Sequence, residues 1–417
     1  MVIACRNRRG CRLAASVLPL LIALAAAPAP AQEHAHGSAK ASGHDMSKRW
    51  AERRASAAGM GVSLATDEAG VLWLARVRDG HVWVSRAAEA GQHFSEGVRV
   101  NRLPEAILAD EQNRPRIAAR GGVVAVVWSE ALPKVFAGNI RFARSVDGGR
   151  TFSEPLTVND DRAEIGHSFG TLAMDAQGRL ALAWIDARDR AAAERAGRKH
   201  TGSGIYYALS SDGGAHFSPN RKLADHSCEC CRIGLALGPD GVATALWRHV
   251  FEGGQRDFAL ATLEPKSVLL RASEDGWEIN ACPHHGGDLA IDGEGGRHLV
   301  WFTGSARQPG LFYRRADGER MTPPRGFGDA AAQAGHPTVF ARGRSVHLAW
   351  REFDGKAYRL ITMASADRGD SWSAARVVAT ADGAADLPLF VAGARRPLLA
   401  WNSAAAGVRV FDLDGAP

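Results

Sequence analysis

Cysteine, tyrosine and helix-period patterning are all scarce in this chain, and each shortage excludes something. Six cysteines in 417 residues are too few for a scaffold that depends on disulfides in place of a core. Two of them, Cys5 and Cys11, lie in the leader described below, so the mature chain keeps Cys228, Cys230, Cys231 and Cys282. Past residue 31 there is no apolar run of about eighteen residues or more, which excludes a membrane-spanning helix. Excess charge is missing too. Residues 1–31 hold four arginines and no acid, so removing them takes the formal net charge from +6 to +2. A nearly neutral domain offers no electrostatic footprint for nucleic acid.

What is present begins with MVIACRNRRGCRLAASVLPLLIALAAAPAPA, with Arg6, Arg8, Arg9 and Arg12 ahead of an apolar run ending in Ala29-Pro30-Ala31. This reads as a signal peptide over 1–31, cut near Ala31, and implies a periplasmic or secreted protein. Residues 32–58 are rich in His, Gly, Ser and Ala and read as a flexible lead-in, in which His34, His36, His44 and Met46 offer copper-compatible donors. Residues 59–417 form the folded domain.

That domain repeats one unit. Apolar strands separated by Gly-containing turns recur, and the second strand of each unit ends in Trp73, Trp128, Trp184, Trp247, Trp301, Trp350 or Trp401, at spacings of 55, 56, 63, 54, 49 and 51 residues. Period-two alternation, as in RPRIAARGGVVAVVWSE, marks short antiparallel strands. Units of about fifty residues built this way arrange radially, which limits exposed sheet edges. The sequence therefore predicts an all-β propeller of four-stranded antiparallel blades, with seven blades favoured and six plus a closing piece as the alternative. Ala187–Lys199 is the one helical candidate, an insertion in a loop.

Ser145-Val-Asp147-Gly-Gly149-Arg-Thr151-Phe152 matches the Asp box of sialidase-like BNR-repeat propellers, and weaker copies end in Asp212, Gly214 and Phe217 and in Asp367, Gly369 and Trp372. The chain thus resembles that family over nearly all of residues 59–417. The box is a turn device: the Asp accepts backbone N–H groups and the Gly takes a conformation closed to other residues. The resemblance does not extend to sialidase chemistry. Met60-Gly-Val-Ser-Leu stands where that family has Arg-Ile-Pro, and Tyr206, Tyr207, Tyr313 and Tyr358 fall in third strands, which places them away from the channel mouth. Cys228-x-Cys230-Cys231, Arg256-Asp257, Gly276-Trp277 and Cys282-Pro283 resemble an exported bacterial subgroup of that family with a CxCC…CP pattern.

In a propeller, the segments that begin first strands and end second strands meet at one mouth. Aligning the repeat brings His167, Cys228, Cys230, Cys231, His249, Cys282, His284, His285 and His336 there as metal-ligand candidates. Thiolate and imidazole together favour copper or zinc. The same four cysteines can pair as two disulfides, expected after export. Glu130, Asp186 and Glu352 are the candidate catalytic carboxylates, and Arg232, Arg248, Arg256, Asp257 and Arg351 the candidate ligand-binding residues. Three functions follow from these residues. One is a transition-metal-binding protein; the second is a glycoside hydrolase or glycan-binding protein; the third is a scaffold for another exported protein.

Overall fold

The computed structural model describes residues 43–55, 59–88, 93–110, 112–393 and 396–413. Residues 1–31, expected to be a leader, and His34 and His36 lie outside them, and of His44 only the backbone is described. Seven antiparallel sheets form the blades of a propeller. They run from Ser63 to Arg99, Arg116 to Thr157, His167 to Ser227, Gly234 to Arg271, Asp288 to Phe327, Gly335 to Asp382 and Leu389 to Asp412. Six have at least four strands, and the seventh has three among the described residues. The first strands of all seven touch their neighbours in a closed ring around the axis. Seven blades, not six, is the architecture.

Core formation follows from that ring. Second strands such as Val123–Ala131 and Leu180–Asp186 are buried along almost their whole length, because both sheet faces are covered by neighbouring blades. The apolar residues accordingly gather in layers between adjacent blades. One holds Trp73 with Trp128, another Leu182 with Trp184, another Cys231 with Trp247, and the last pairs Leu64 and Leu72 with Val391 and Leu398.

Three turns on the face opposite the mouth lock these layers. In the first, the Asp147 carboxylate accepts the Arg150 and Thr151 backbone N–H groups at 3.0 Å each and the Thr151 hydroxyl at 2.7 Å. Gly149 has φ +76°, and a Cβ there would sit 2.5 Å from the Trp73 ring of the preceding blade. The turn from Ser365 to Trp372 repeats the arrangement, with Gly369 pressed on Tyr313. These residues hold one blade against the next.

Two helices depart from the repeat. Arg188–Arg195 occupies the predicted insertion. Gly43–Ala55 is also helical, although the composition of 32–58 predicts a flexible segment. Its buried Trp50 packs against Leu108 and Ala131, and the indole N–H donates to Leu132 O at 2.9 Å. Burial of one large aromatic is enough to fix a helix that polar composition leaves unmarked. No helix among the described residues is long and apolar enough to cross a membrane.

Candidate functional site

At the mouth, two segments converge from blades four and five. The first leaves blade three at His226, whose φ of +63° turns the chain inward, and carries Cys228, Cys230 and Cys231 before the strand Gly234–Leu237. Cys228 N donates to Arg248 O at 2.8 Å, which fixes this loop to the end of the second strand of blade four. The second segment runs Cys282-Pro283-His284, again with a left-handed residue, His284 at φ +51°. A non-glycine held at positive φ costs energy, and the surrounding hydrogen bonds hold both here.

The side chains meet in two overlapping groups. Cys228, Cys230 and Cys231 are buried and place their sulfurs within 4.8 Å of one another, and Cys230, Cys282 and His284 do the same. Cys230 belongs to both. The Cys228 and Cys230 sulfurs are 3.6 Å apart, and all four cysteines are thiols in the structure. A tetrahedral ion with metal–sulfur bonds of about 2.3 Å needs sulfurs about 3.8 Å apart, which matches this spacing.

Charge prepares part of the cluster for binding. Hydrogen bonds from Cys230 and Cys231 hold the Cys228 thiol well below its ordinary range, aided by Arg256, whose Nη1 lies 3.1 Å from the sulfur. A hydrogen bond from Cys230 also lowers Cys282. Burial pushes Cys231 up to about 12, and Cys230 rises because its proton serves the neighbouring sulfurs. The Cys230 and Cys231 thiols keep their protons more tightly than usual, so loading an ion would release protons.

Support comes from a third direction. Glu229, inside the same loop, accepts from Arg190 Nη1 at 2.5 Å and from Ser203 Oγ at 2.6 Å. The inserted helix Arg188–Arg195 therefore braces the cysteine loop.

The remaining expected ligands go elsewhere. His167 Nε2 lies 3.0 Å from Asp161 and 3.7 Å from Asp186, between blades two and three. His285 stacks on His336 with ring centroids 4.3 Å apart, and on Phe302 at 4.2 Å. His249 packs on Phe251 at 4.5 Å and receives the Trp247 indole N–H at 3.3 Å. Alignment of the repeat places all of these at one height. His285 and His336 meet each other there, while His167 and His249 take other partners.

The tryptophan repeat explains several candidate residues in a different way. Every one of the seven indole N–H groups finds an acceptor: Asp67, Glu105, Asp186, His249, Asp275, Glu352 or the Asp386 carbonyl. In blades three, four and six that acceptor stands two residues after the Trp. Asp186 and Glu352 are thus committed to buried indoles, and Glu130 accepts from Asn139 within its own blade at 3.2 Å. Glu352 also accepts from Asp329 N at 3.0 Å. Replacing Glu352 with alanine leaves the buried Trp350 indole N–H unmatched, so a loss of about 1–3 kcal/mol in urea unfolding is expected.

Arg248 and Asp257 are likewise structural partners. Arg248 Nη2 donates to His285 O at 2.8 Å and Phe302 O at 2.7 Å, with its guanidinium 4.4 Å from the Phe258 ring, tying blade four to blade five. Asp257 is buried against Arg271 at 2.5 Å. Arg351 donates to Ala385 O, and Arg232 Nη2 to Pro337 O at 2.7 Å. Tyr206 corrects one expectation: its hydroxyl donates to Asp189 Oδ2 at 2.8 Å beside Arg188, on the mouth side of its blade. Burial and the bond to Asp189 push its hydroxyl pKa upward, the opposite of an activated nucleophile.

Reading the sequence passed over Gln112, whose Oε1 accepts Arg232 N at 3.2 Å and Gly286 N at 2.9 Å, joining the two mouth loops. It also passed over Asp161. Neither carries a local signal, since each acts on residues far away in the chain.

Acid sensitivity follows from the histidines. Burial pushes His249 down to about 4 and lowers His336 strongly. The unfolded chain then binds more protons than the folded one below about pH 6.5. Stability is fully present above that pH and is lost as pH falls toward about 4. The thermal midpoint should drop across this window, and His249→Gln should flatten the drop. Equal slopes in wild type and variant would sink this assignment.

No family model matches the chain, and no curated protein matches it. Among solved structures, an ulvan lyase bound to a glucuronate–sulfated rhamnose disaccharide aligns with TM-score 0.52 at 11% identity, covering 84% of this chain and 92% of that one. The polysaccharide lyase Uly1 aligns at 0.50 and 10% identity, covering 86% and 91%. The Hadza microbial sialidase Hz136 aligns at 0.47 and 12% identity, covering 82% and 76%. The neighbours are β-propeller proteins that act on glycans, and at these identities the likeness concerns the fold.

Proposed function

We propose that this is an exported propeller that binds a soft transition-metal ion, Cu(I) first and Zn(II) second, through Cys228, Cys230, Cys231, Cys282 and His284. The supporting observation is the pair of overlapping donor sets that share Cys230. Thiolate-rich donor sets select Cu(I) and Zn(II) over harder ions. The CxCC…CP spacing resembles that of the sialidase-like BNR-repeat subgroup, and the leader-like residues 1–31 support a location in the periplasm or outside the cell. The test titrates anaerobic, reduced protein with Cu(I) against a colorimetric chelator of known affinity. Withdrawal of copper from the chelator is expected; four alkylatable thiols with no competition would overturn the reading.

A second reading is action on an acidic glycan, supported by the two lyases of matching fold. It makes the protein a hydrolase or lyase, or a glycan-binding protein. Turnover or retention of an acidic polysaccharide by metal-free protein would favour it. A partner protein among exported proteins is the third proposal, tested by crosslinking at the mouth.

A further inference from the structure

The first strands of the seven blades enclose an axial cavity of about 170 Å³. Its wall includes Ser63, Arg116, Thr171, Arg232, Asp288 and Thr338, one from each of six blades. This is a polar lining dominated by two guanidinium groups and one carboxylate. The carboxylate is already engaged: Asp288 Oδ2 accepts the Thr338 hydroxyl at 2.5 Å and Val339 N at 3.1 Å. The nearby Asp386 is bound by Arg114 at 2.5 and 2.7 Å. Among the described residues, no carboxylate lies within ion-pair distance of Arg116 or Arg232.

Arg232 is 4% exposed, and its Nη1 has no hydrogen-bond partner. Leaving a buried charged donor unmatched is costly. Burial, then Arg114 and Arg232, push the Arg116 guanidinium down to about 9 against the opposing pull of Asp288 and Asp386. Arginine forks match tetrahedral oxyanions in geometry as well as charge. The cavity exceeds the roughly 30 Å³ share of a single water.

We infer that the axial channel is a binding site for a small tetrahedral oxyanion, of the phosphate or sulfate class, held by Arg116 and Arg232 with the Ser63 and Thr171 hydroxyls alongside. The site lies on the axis, next to the thiolate cluster, since Arg232 directly follows Cys231. It adds negative charge beside Arg114, Arg116 and Arg232, which otherwise share Asp288 and Asp386.

The test uses the full mature chain in chelator, free of metal, with inorganic phosphate as the probe and chloride at matched ionic strength as the control. Wild type should show a thermal midpoint that climbs with the logarithm of phosphate concentration. Arg116→Met should lose that dependence. Phosphate also stabilises proteins by exclusion from their surfaces, an effect that would act equally on the variant. An equal climb in both proteins, or none in wild type, would overturn the inference. Should Arg116→Met fail to fold, calorimetric titration of wild type against Arg116→Lys decides. Binding weakened about tenfold or more by loss of the bidentate fork supports the site, and unchanged affinity, or no heat in either protein, rejects it.

Discussion

Replacing Cys230 with serine is expected to weaken Cu(I) binding by more than about 100-fold, since changes even to groups behind metal ligands cost about 10–100-fold. Cys230 is the one sulfur common to both donor sets, so its loss leaves neither complete. Cys282→Ser should cost less, because it removes an exposed donor and leaves the buried trio Cys228, Cys230 and Cys231 intact. Arg256→Ala acts without touching the ion. It removes the cation 3.1 Å from the Cys228 sulfur, raises that thiol, and should shift metal uptake to higher pH. Competition titrations of the three variants across pH would read all of this. Equal affinities for wild type and Cys230→Ser would mean that copper, if bound, is held elsewhere.

The second large effect lies at the seam of the ring. Arg114 and Asp386 are both fully buried and joined at 2.5 Å, linking the approach to blade two with the approach to blade seven. Val62 N donates to the same carboxylate at 3.2 Å, and Arg114 Nη1 donates to Val62 O at 2.8 Å, so blade one is held between them. Asp386→Ala leaves a guanidinium buried without its counter-charge, a loss of about 3–5 kcal/mol. Burial holds the Asp386 carboxyl above its ordinary range despite Arg114 beside it. The net contribution of the pair is therefore expected to be smaller than the cost of breaking it. Replacing both partners, Arg114→Met with Asp386→Leu, should recover most of the lost stability. Urea unfolding of the single and double variants tests this, and an Asp386→Ala midpoint equal to wild type would refute it.

Seven tryptophans at a near-constant spacing determined the fold on their own. Six of them lie in the later half of a second strand, while Trp73 stands at the start of Leu72–Arg78, and burial of a large ring between blades is a local demand that every unit must meet. The Asp-box turns were legible for the same reason, since their hydrogen bonds close within a few residues. The convergence of Cys228, Cys230 and Cys231 with Cys282 and His284 was partly legible, because strand order puts both segments at one mouth.

Which of the other candidates meet was decided by tertiary structure alone. His167, His249, His285 and His336 share a height in the repeat, yet His167 goes to Asp161, His249 to Trp247, and His285 and His336 to each other. Asp186 and Glu352 look like free carboxylates in the sequence, and buried indole N–H groups claim them. Arg116 sits in an ordinary strand pattern, and only closure of the ring turns it toward an axial cavity shared with Arg232 and Asp288. Period and spacing are properties of neighbouring residues along the chain, so sequence carries them. Competition for hydrogen-bond partners and counter-charge is settled across hundreds of residues, once the first blade has met the last.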